Sequence, residues 1–444
     1  MAHEAAGGRP GSPARRRAVA VLSEFFADPR RPIRLERDLS GLASPDRDLA
    51  RELVLGVLRR RSALDAEIAR FSRFPLDRLR RPLREILETA VFQVRHLDRI
   101  PARAAVHEAV DMARALSGEG ASRVANGVLR ALLREPSRPA PGTDAASLAT
   151  EFSHPGFLVA RWIARFGIER ARAILAADDE RGSLHLLADP RRRGRDALAR
   201  ALAGEGVEAR PIPLAENGLR VVSGNPLHTP SFDAGDYYVA DAGSQVLPAL
   251  LPAGPVLLDL AAAPGGKSIS AIFSGRFPSV ISADRSLARL DFLRRNRARL
   301  SLGGLLPLAA DVAAPPFAEG AFSRVLLDAP CSGTGTLRKN PEIRYRLSEE
   351  WIEALAVNEE ALLSAAAGTV APGGFLLYST CSLEAEENEQ VAAGFLQGRR
   401  DFRPWPIDAP PELSPFVAGN LFRIFPDQGS DGFTAQLFRR EGAA

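Results

Sequence analysis

Cysteine is nearly absent: the 444 residues include only Cys331 and Cys381. Two thiols cannot build a disulfide framework, which excludes the disulfide-stapled secreted class and predicts a reducing, cytoplasmic setting. Lysine is equally scarce, at Lys267 and Lys339 alone, so 56 of the 58 basic residues are arginine. That bias reads as codon preference and singles out the two lysines that remain. No apolar run is long and unbroken enough to cross a bilayer, and the first 21 or so residues lack the apolar core of a secretory signal. Charge of one sign is also lacking. The net charge of +4 is compatible with a nucleic-acid partner but is weak evidence for one.

Both thiols close apolar runs. Pro372-Gly373-Gly374 turns into Phe375-Leu376-Leu377-Tyr378-Ser379-Thr380-Cys381-Ser382, and Val325-Leu326-Leu327-Asp328-Ala329-Pro330 leads to Cys331. Such runs predict buried parallel strands that deliver a sulfur at their C-terminal edge, where open α/β sheets gather ligands. An ordinary cysteine is a small core residue, but neither of these has apolar residues on both sides.

From residue 15 to 134 apolar residues recur at helical spacing. Leu49, Leu53, Val54, Val57 and Leu58 follow the cap candidates Ser44 and Asp46. Ile86, Leu87, Ala90 and Val91 come next, then Val106, Ala109, Val110 and Ala113, then Val124, Val128, Leu129 and Leu132. This predicts an all-helical bundle over 13–135, after a disordered leader at 1–12. Arginines crowd positions expected to be exposed (Arg15, Arg16, Arg17; Arg59, Arg60, Arg61; Arg78, Arg80, Arg81), forming either a solvated face or an RNA-facing patch. Residues 136–147, rich in Pro, Ser, Gly and Ala, read as a linker. Helical spacing through 157–177, apolar pieces at 184–188 and 219–222, and a helix near 197–202 predict a small α+β subdomain over 146–230. From 231 to 444 strands and helices alternate, which predicts a parallel sheet covered on both faces.

A second anchor is Val256-Leu257-Leu258-Asp259-Leu260 running into Ala261-Ala262-Ala263-Pro264-Gly265-Gly266-Lys267-Ser268. An apolar strand, a small-residue loop and a helix start let a ligand approach the backbone and meet unpaired N–H donors. Gly266-Lys267-Ser268 imitates a phosphate-binding P-loop, but that motif needs a glycine five positions before Gly266, where Ala261 stands. A nucleoside-type ligand fits better. Ser279-Val280-Ile281-Ser282-Ala283-Asp284 ends in a carboxylate 25 residues past Asp259, about where a ribose-binding acid sits. Leu308-Ala309-Ala310-Asp311 ends in another, suited to an adenine amino group. A single strand-end Asp is ordinarily a helix cap, but Asp259, Asp284, Asp311 and Asp328 together point to a ligand.

Asp46-Arg47-Asp48-Leu49-Ala50-Arg51-Glu52-Leu53-Val54-Leu55-Gly56-Val57-Leu58, Ala104-Ala105-Val106-His107-Glu108-Ala109-Val110 and Val124-Ala125-Asn126-Gly127-Val128-Leu129-Arg130 resemble the NusB family, whose domains are RNA- and protein-binding helical bundles. The run from Asp259 to Lys267, Asp328-Ala329-Pro330-Cys331-Ser332-Gly333-Thr334-Gly335, and Ser379-Thr380-Cys381-Ser382 with Glu386-Glu387-Asn388-Glu389 resemble the RNA cytosine-C5 methyltransferases. Phe425-Pro426 and Asp431-Gly432-Phe433 match that family's last motif. A NusB-like bundle ahead of such a domain resembles the bacterial RsmB (Sun) subgroup, which methylates small-subunit ribosomal RNA.

The resemblance implies a Rossmann-like catalytic domain over 231–444. It implies S-adenosylmethionine held by Ala261, Ala262, Ala263, Pro264, Gly265, Gly266, Lys267, Asp284, Asp311 and Asp328. It also implies an RNA partner, no metal, no membrane and a monomer. By the same resemblance Cys381 adds to cytosine C6. The chemistry then assigns Cys331 to release of the C5 proton, as base or its helper, makes Asp328 the candidate acid near N3, and leaves Lys267 either as a positive charge near the ring or as an ordinary helix-terminus lysine. The departures are Ala261 where cysteine is usual, Ala240 before Asp241 where glutamine is usual, and Leu187 and Asp189 for Arg and Asn. Three alternatives stand beside this reading. A DNA cytosine-C5 methyltransferase would take its nucleophile from a pair like Pro330-Cys331 and leave Cys381 without a task. An RNA-binding protein could carry an inactive second half. The RNA could be transfer RNA.

Overall fold

A computed structural model describes residues 12–136 and 142–442, so 1–11 of the expected leader at 1–12 and 137–141 of the expected linker at 136–147 lie outside the described residues, while 145–147 of that linker open a helix, Ala145–Glu151. The chain forms two compact units. One takes residues up to 180 together with 340–346, and the other takes 181–339 and everything from 347.

The first unit is built on helices Pro13–Ala27, Ser44–Phe71, Leu83–His96 and Ala102–Leu132. Pro13 opens the first helix behind Ser12, a pairing that suits the unbonded N–H groups of a first turn. The helical periodicity turns Leu22, Leu53, Val57, Ile86 and Leu129 fully inward, so the apolar stripes make the core. Three further helices, Ala145–Glu151, Gly156–Phe166 and Ile168–Asp179, fall in the same compact unit. They pack on Ser44–Phe71, where Ala63 N–H donates to Ser153 Oγ (3.1 Å) and Arg60 pairs with Asp179 (2.7 Å).

The arginine runs are not uniformly exposed as expected. Arg15 and Arg59 are only 8% and 6% exposed. Arg15 donates to Gln93 (2.6 Å) and Glu108 (3.0 Å), while Arg61 pairs with buried Glu88 (2.9 Å). Three consecutive residues sweep most of a helical turn, so a triplet cannot share one face. Arg17, Arg78, Arg80 and Arg81 are exposed.

Residues 340–346 are embedded in this helical unit. Arg344 donates to the carbonyls of Arg59 (2.6 Å), Phe152 (3.2 Å) and Asp178 (2.9 Å). Tyr345 donates its hydroxyl to Leu58 O (2.7 Å) and meets Phe25 and Phe26 edge-on.

The second unit opens with a small antiparallel sheet of β1 (His185–Ala188), β2 (Glu208–Pro211), β3 (Gly218–Ser223) and β4 (Tyr237–Val239), ordered β2-β3-β1-β4. Helix Arg195–Gly204 covers it through Leu198 and Leu202. A larger sheet follows: β5 (Val256–Leu260), β6 (Ser279–Asp284), β7 (Leu305–Ala309), β8 (Phe322–Asp328), β9 (Val370–Thr380), β10 (Phe402–Pro404), β11 (Val417–Ala418), β12 (Leu421–Ile424) and β13 (Phe433–Arg440). Its order is β11-β12-β13-β9-β8-β5-β6-β7, with β10 beside β13. Strands β5 to β9 are parallel, and β5, β8 and β9 are buried on both faces at their centres, which explains why Leu257, Leu258, Leu326, Leu327, Leu376 and Leu377 form unbroken apolar runs.

The expected all-parallel sheet is therefore a mixed one. Residues 425–432 between β12 and β13 are too few for a crossover helix, so the chain returns antiparallel. Strand order reverses between β5 and β8, which marks the crevice where such sheets bind ligands. Asp311 lies two residues past β7 instead of at its end, because its Oδ1 accepts the Ala313 N–H (3.0 Å) in a turn. Among the described residues no helix is long and apolar enough to cross a membrane, and no group of three or more His, Cys, Asp or Glu side chains could hold a metal ion.

Candidate active site

β8 and β9 lie side by side with Asp328 opposite Ser379, so their loops leave the same edge of the sheet. Cys331 stands three residues past β8 and Cys381 one past β9. Their sulfurs are 3.3 Å apart. The Cys331 thiol is pushed well above its ordinary value by its hydrogen bond to Cys381, by burial, and by the negative charges of Cys381, Glu387 and Glu359. The geometry allows either sulfur to donate to the other.

Lys267, in the first turn of helix Gly266–Phe273, donates to Asp328 Oδ2 at 2.6 Å, and Ser379 Oγ donates to Asp328 Oδ1 at 2.9 Å. Burial alone would lower the Lys267 ammonium, but the Asp328 charge and hydrogen bond outweigh it and leave the pKa raised. The Lys267–Asp328 pair thus holds a proton in a fixed place beside the two sulfurs.

The loops are pinned by more than the strands. Glu387 Oε1 accepts the Ser332 N–H (2.6 Å), and Oε2 accepts the hydroxyls of Ser332 (2.5 Å) and Ser382. Asn388 ties Thr380 (2.8 Å) to the carbonyls of Ser382 and Glu384. Gly335 donates to Cys381 O (2.9 Å), and Gly432 donates to Gly335 O (2.7 Å). A Cβ on Gly335 would collide with the Gly432 carbonyl, so this crossing of two backbones requires glycine. Lys339 pairs with Asp241 and with Asp431 (2.9 Å), which locks the segment after Cys331 to the last motif. Burial pushes Asp241 up, but the His185 hydrogen bond and the Lys339 charge together hold it well below the carboxylate range. Burial and the Asp241 charge raise Asp431 to about 6.

Next to the Lys267–Asp328 pair lies a cavity of about 210 Å³ walled by Asp259, Ala261, Ala262, Ala263, Pro264 and Gly266, with Tyr238 and Asp241 opposite. Gly265 turns the loop at φ 111°, and a Cβ there would strike Leu293. Asp259 is fully buried, accepts from Ser268 Oγ (2.5 Å), and has one oxygen with no partner in the protein. Burial raises its carboxyl to about 7, against the pull of Ser268 and Lys267. A narrow small-residue loop, a helix start and an orphaned acceptor fit the amino-acid end and sugar of S-adenosylmethionine.

Of the expected cofactor residues, Ala261, Ala262, Ala263, Pro264, Gly266, Lys267 and Asp328 border this cavity, whereas Gly265, Asp284 and Asp311 do not. Asp284 accepts from the Ala263 N–H (3.1 Å), the Ser286 N–H (2.8 Å) and Arg289 (3.1 Å), bracing the loop from behind. Asp311 is exposed.

Sequence reasoning missed Glu359, which is buried behind the cysteine loops. Its signal was present: in helix Glu349–Gly368 it falls on the apolar stripe of Ile352, Leu363 and Ala366.

Comparison with known proteins agrees with this geometry. Residues 250–439 match the family described as 16S rRNA methyltransferase RsmB/F, 12–134 match the NusB family, and 154–228 match an RsmF/B-like ferredoxin-like domain. The probable ribosomal RNA small subunit methyltransferase B of Bacillus subtilis (strain 168) is 32% identical over 413 residues, covering 90% of this chain and 92% of that protein. Its namesake from Synechocystis sp. (strain ATCC 27184 / PCC 6803 / Kazusa) is 34% identical over 88% of this chain and 91% of its own. In fold, the chain matches "Crystal Structure of PH0851" at TM-score 0.76 and 22% identity, over 98% of this chain and 100% of that one. It also matches NSun6 from Pyrococcus horikoshii with SFG at TM-score 0.56 and 19% identity, over 65% and 99%. With curated relatives above 30% identity running nearly end to end alongside it, the chain belongs to the ribosomal RNA small subunit methyltransferase B family.

Proposed function

We propose that the protein methylates C5 of an unpaired cytosine in small-subunit (16S) ribosomal RNA through a covalent bond between Cys381 and C6. S-adenosylmethionine, the cofactor of this methyltransferase family, supplies an electrophilic methyl group when bound. The observation that carries the proposal is the 3.3 Å sulfur pair, beside a cavity fitted to that cofactor.

Cytosine C5 is a poor nucleophile until a group adds at C6, and a thiolate both adds well and leaves well. In the proposed sequence the Cys381 sulfur pair forms the S–C6 bond while the C5–C6 π electrons move onto C5 and the N3 edge. The Lys267–Asp328 pair donates its proton toward that edge as charge develops there. C5 then takes the methyl group, with the breaking S–CH3 pair staying on the departing thioether. The Cys331 sulfur, its own proton released to solvent, accepts the C5 proton. The C–H electrons rebuild C5=C6 and expel the Cys381 thiolate, and the proton on the N3 edge returns to the Lys267–Asp328 pair. Because the raised Cys331 thiol is the weaker acid, its conjugate base is the stronger one, which suits the release step. Neither face of a stacked base is accessible, so the target enters unpaired or flipped.

The helical residues 13–135 are proposed to hold RNA, 146–230 to link, and 231–444 to catalyse. The decisive experiment incubates the parent, Cys381→Ala and Cys331→Ala proteins with 16S RNA transcripts and labelled cofactor, reading methyl transfer and denaturant-stable protein–RNA adduct. Cys381→Ala is expected to give neither product, and Cys331→Ala to trap the adduct. Normal turnover by Cys331→Ala, adduct formation through Cys331, or methylation of transfer RNA or DNA alone would overturn the proposal.

A further inference from the structure

Behind the two cysteine loops lies a buried acid pair with no part in the steps above. Glu387 and Glu359 are both fully buried. Glu387 accepts three hydrogen bonds, from Ser332 N–H, Ser332 Oγ and Ser382 Oγ. Glu359 accepts only from Tyr378 OH (3.2 Å), and its other oxygen meets no donor. Burial and the Glu387 charge push the Glu359 carboxyl up to about 10, and burial raises Glu387 as well. Tyr378 also donates to Glu387 O (2.6 Å) and lies in β9, the strand that delivers Cys381.

The placement is specific. Ser332 follows Cys331 and Ser382 follows Cys381, so one carboxylate grips the residue after each sulfur-bearing position. We infer that Glu387, bonded to the residue after each cysteine, is a positioning residue that sets the spacing of the two sulfurs and so the efficiency of the release step. This inference rests on the two-thiol reading above. Loss of the clasp frees Cys331 more than Cys381, because Cys381 is still held by β9 and by the Gly335 N–H on its carbonyl.

The test uses the full-length protein, a 16S RNA transcript and labelled S-adenosylmethionine, with Cys331→Ala run in parallel. Glu387→Gln is expected to lower kcat by about 10- to 100-fold, the cost of a misplacement near 1 Å. The KM for cofactor should stay unmoved, and covalent protein–RNA adduct should accumulate. Ser332→Ala removes one arm without touching a charge and serves where Glu387→Gln does not fold. It should give the same pattern in milder form. Parent-like kcat in Glu387→Gln, or kcat and cofactor KM deteriorating together without adduct, overturns the inference while a trapped Cys331→Ala adduct leaves the two-thiol reading standing. No adduct in Cys331→Ala overturns both.

Discussion

Glu359→Gln offers a quantitative check on the buried proton. Burial, then the charge and hydrogen bond of Glu387, raise the Glu359 carboxyl from 4.5 to about 10. Between those values the folded chain keeps a proton that the unfolded chain releases, so stability falls as pH rises through the window. At pH 7 about 2.5 pH units of the window have been crossed, and at 1.36 kcal/mol per unit the cost is roughly 3 kcal/mol. Glutamine has nearly the same shape, accepts from Tyr378 and does not titrate. The variant should match the parent near pH 4.5 and exceed it increasingly above, by about 1.4 kcal/mol per pH unit at most. Urea unfolding of both proteins at intervals from pH 5 to 9 measures the difference directly, with all other titrating groups held in common. Parallel stability curves, or a variant less stable than the parent at pH 8, would refute a proton on Glu359.

Gly335→Ala forces a Cβ into the Gly432 carbonyl, so it should cost about 1–3 kcal/mol and cut methyl transfer while cofactor binding, followed by calorimetry, persists. Lys339→Met leaves Asp241 and Asp431 facing each other without their shared cation and should cost about 3–5 kcal/mol in chemical unfolding, more at pH 8 than at pH 5, where Asp431 (about 6) takes up a proton. Tyr345→Phe removes the hydrogen bond to Leu58 O but keeps the ring packing on Phe25 and Phe26, and should lower stability by only about 1 kcal/mol.

The parts of the molecule legible in sequence are those governed by local rules. Apolar runs such as Val256–Leu260 are strands because both faces are buried, and the periodicity of 49–58 is a helix because one face is. Composition and spacing also marked the two cysteines, the Ala261–Gly266 loop and Lys267, since strand ends carrying small or reactive residues are rare unless a ligand is near. Where the reading departed from the structure, a distant partner made the difference. Arg15 and Arg59 were expected to be exposed and are buried, Arg15 against Gln93 and Glu108. Asp311 was expected to end a strand and lies two residues past β7, in a turn.

What the amino-acid order determined alone is which segments become strands and helices and which side chains their ends carry, because backbone sterics and face burial act within a few residues. Tertiary structure alone decided that two thiols 50 positions apart stand 3.3 Å from each other. It also decided that Glu387 reaches Ser332 and Ser382, the residues after each cysteine. Hydrogen bonds and buried charges find partners through space, and no local spacing encodes which partner the folded chain brings into contact.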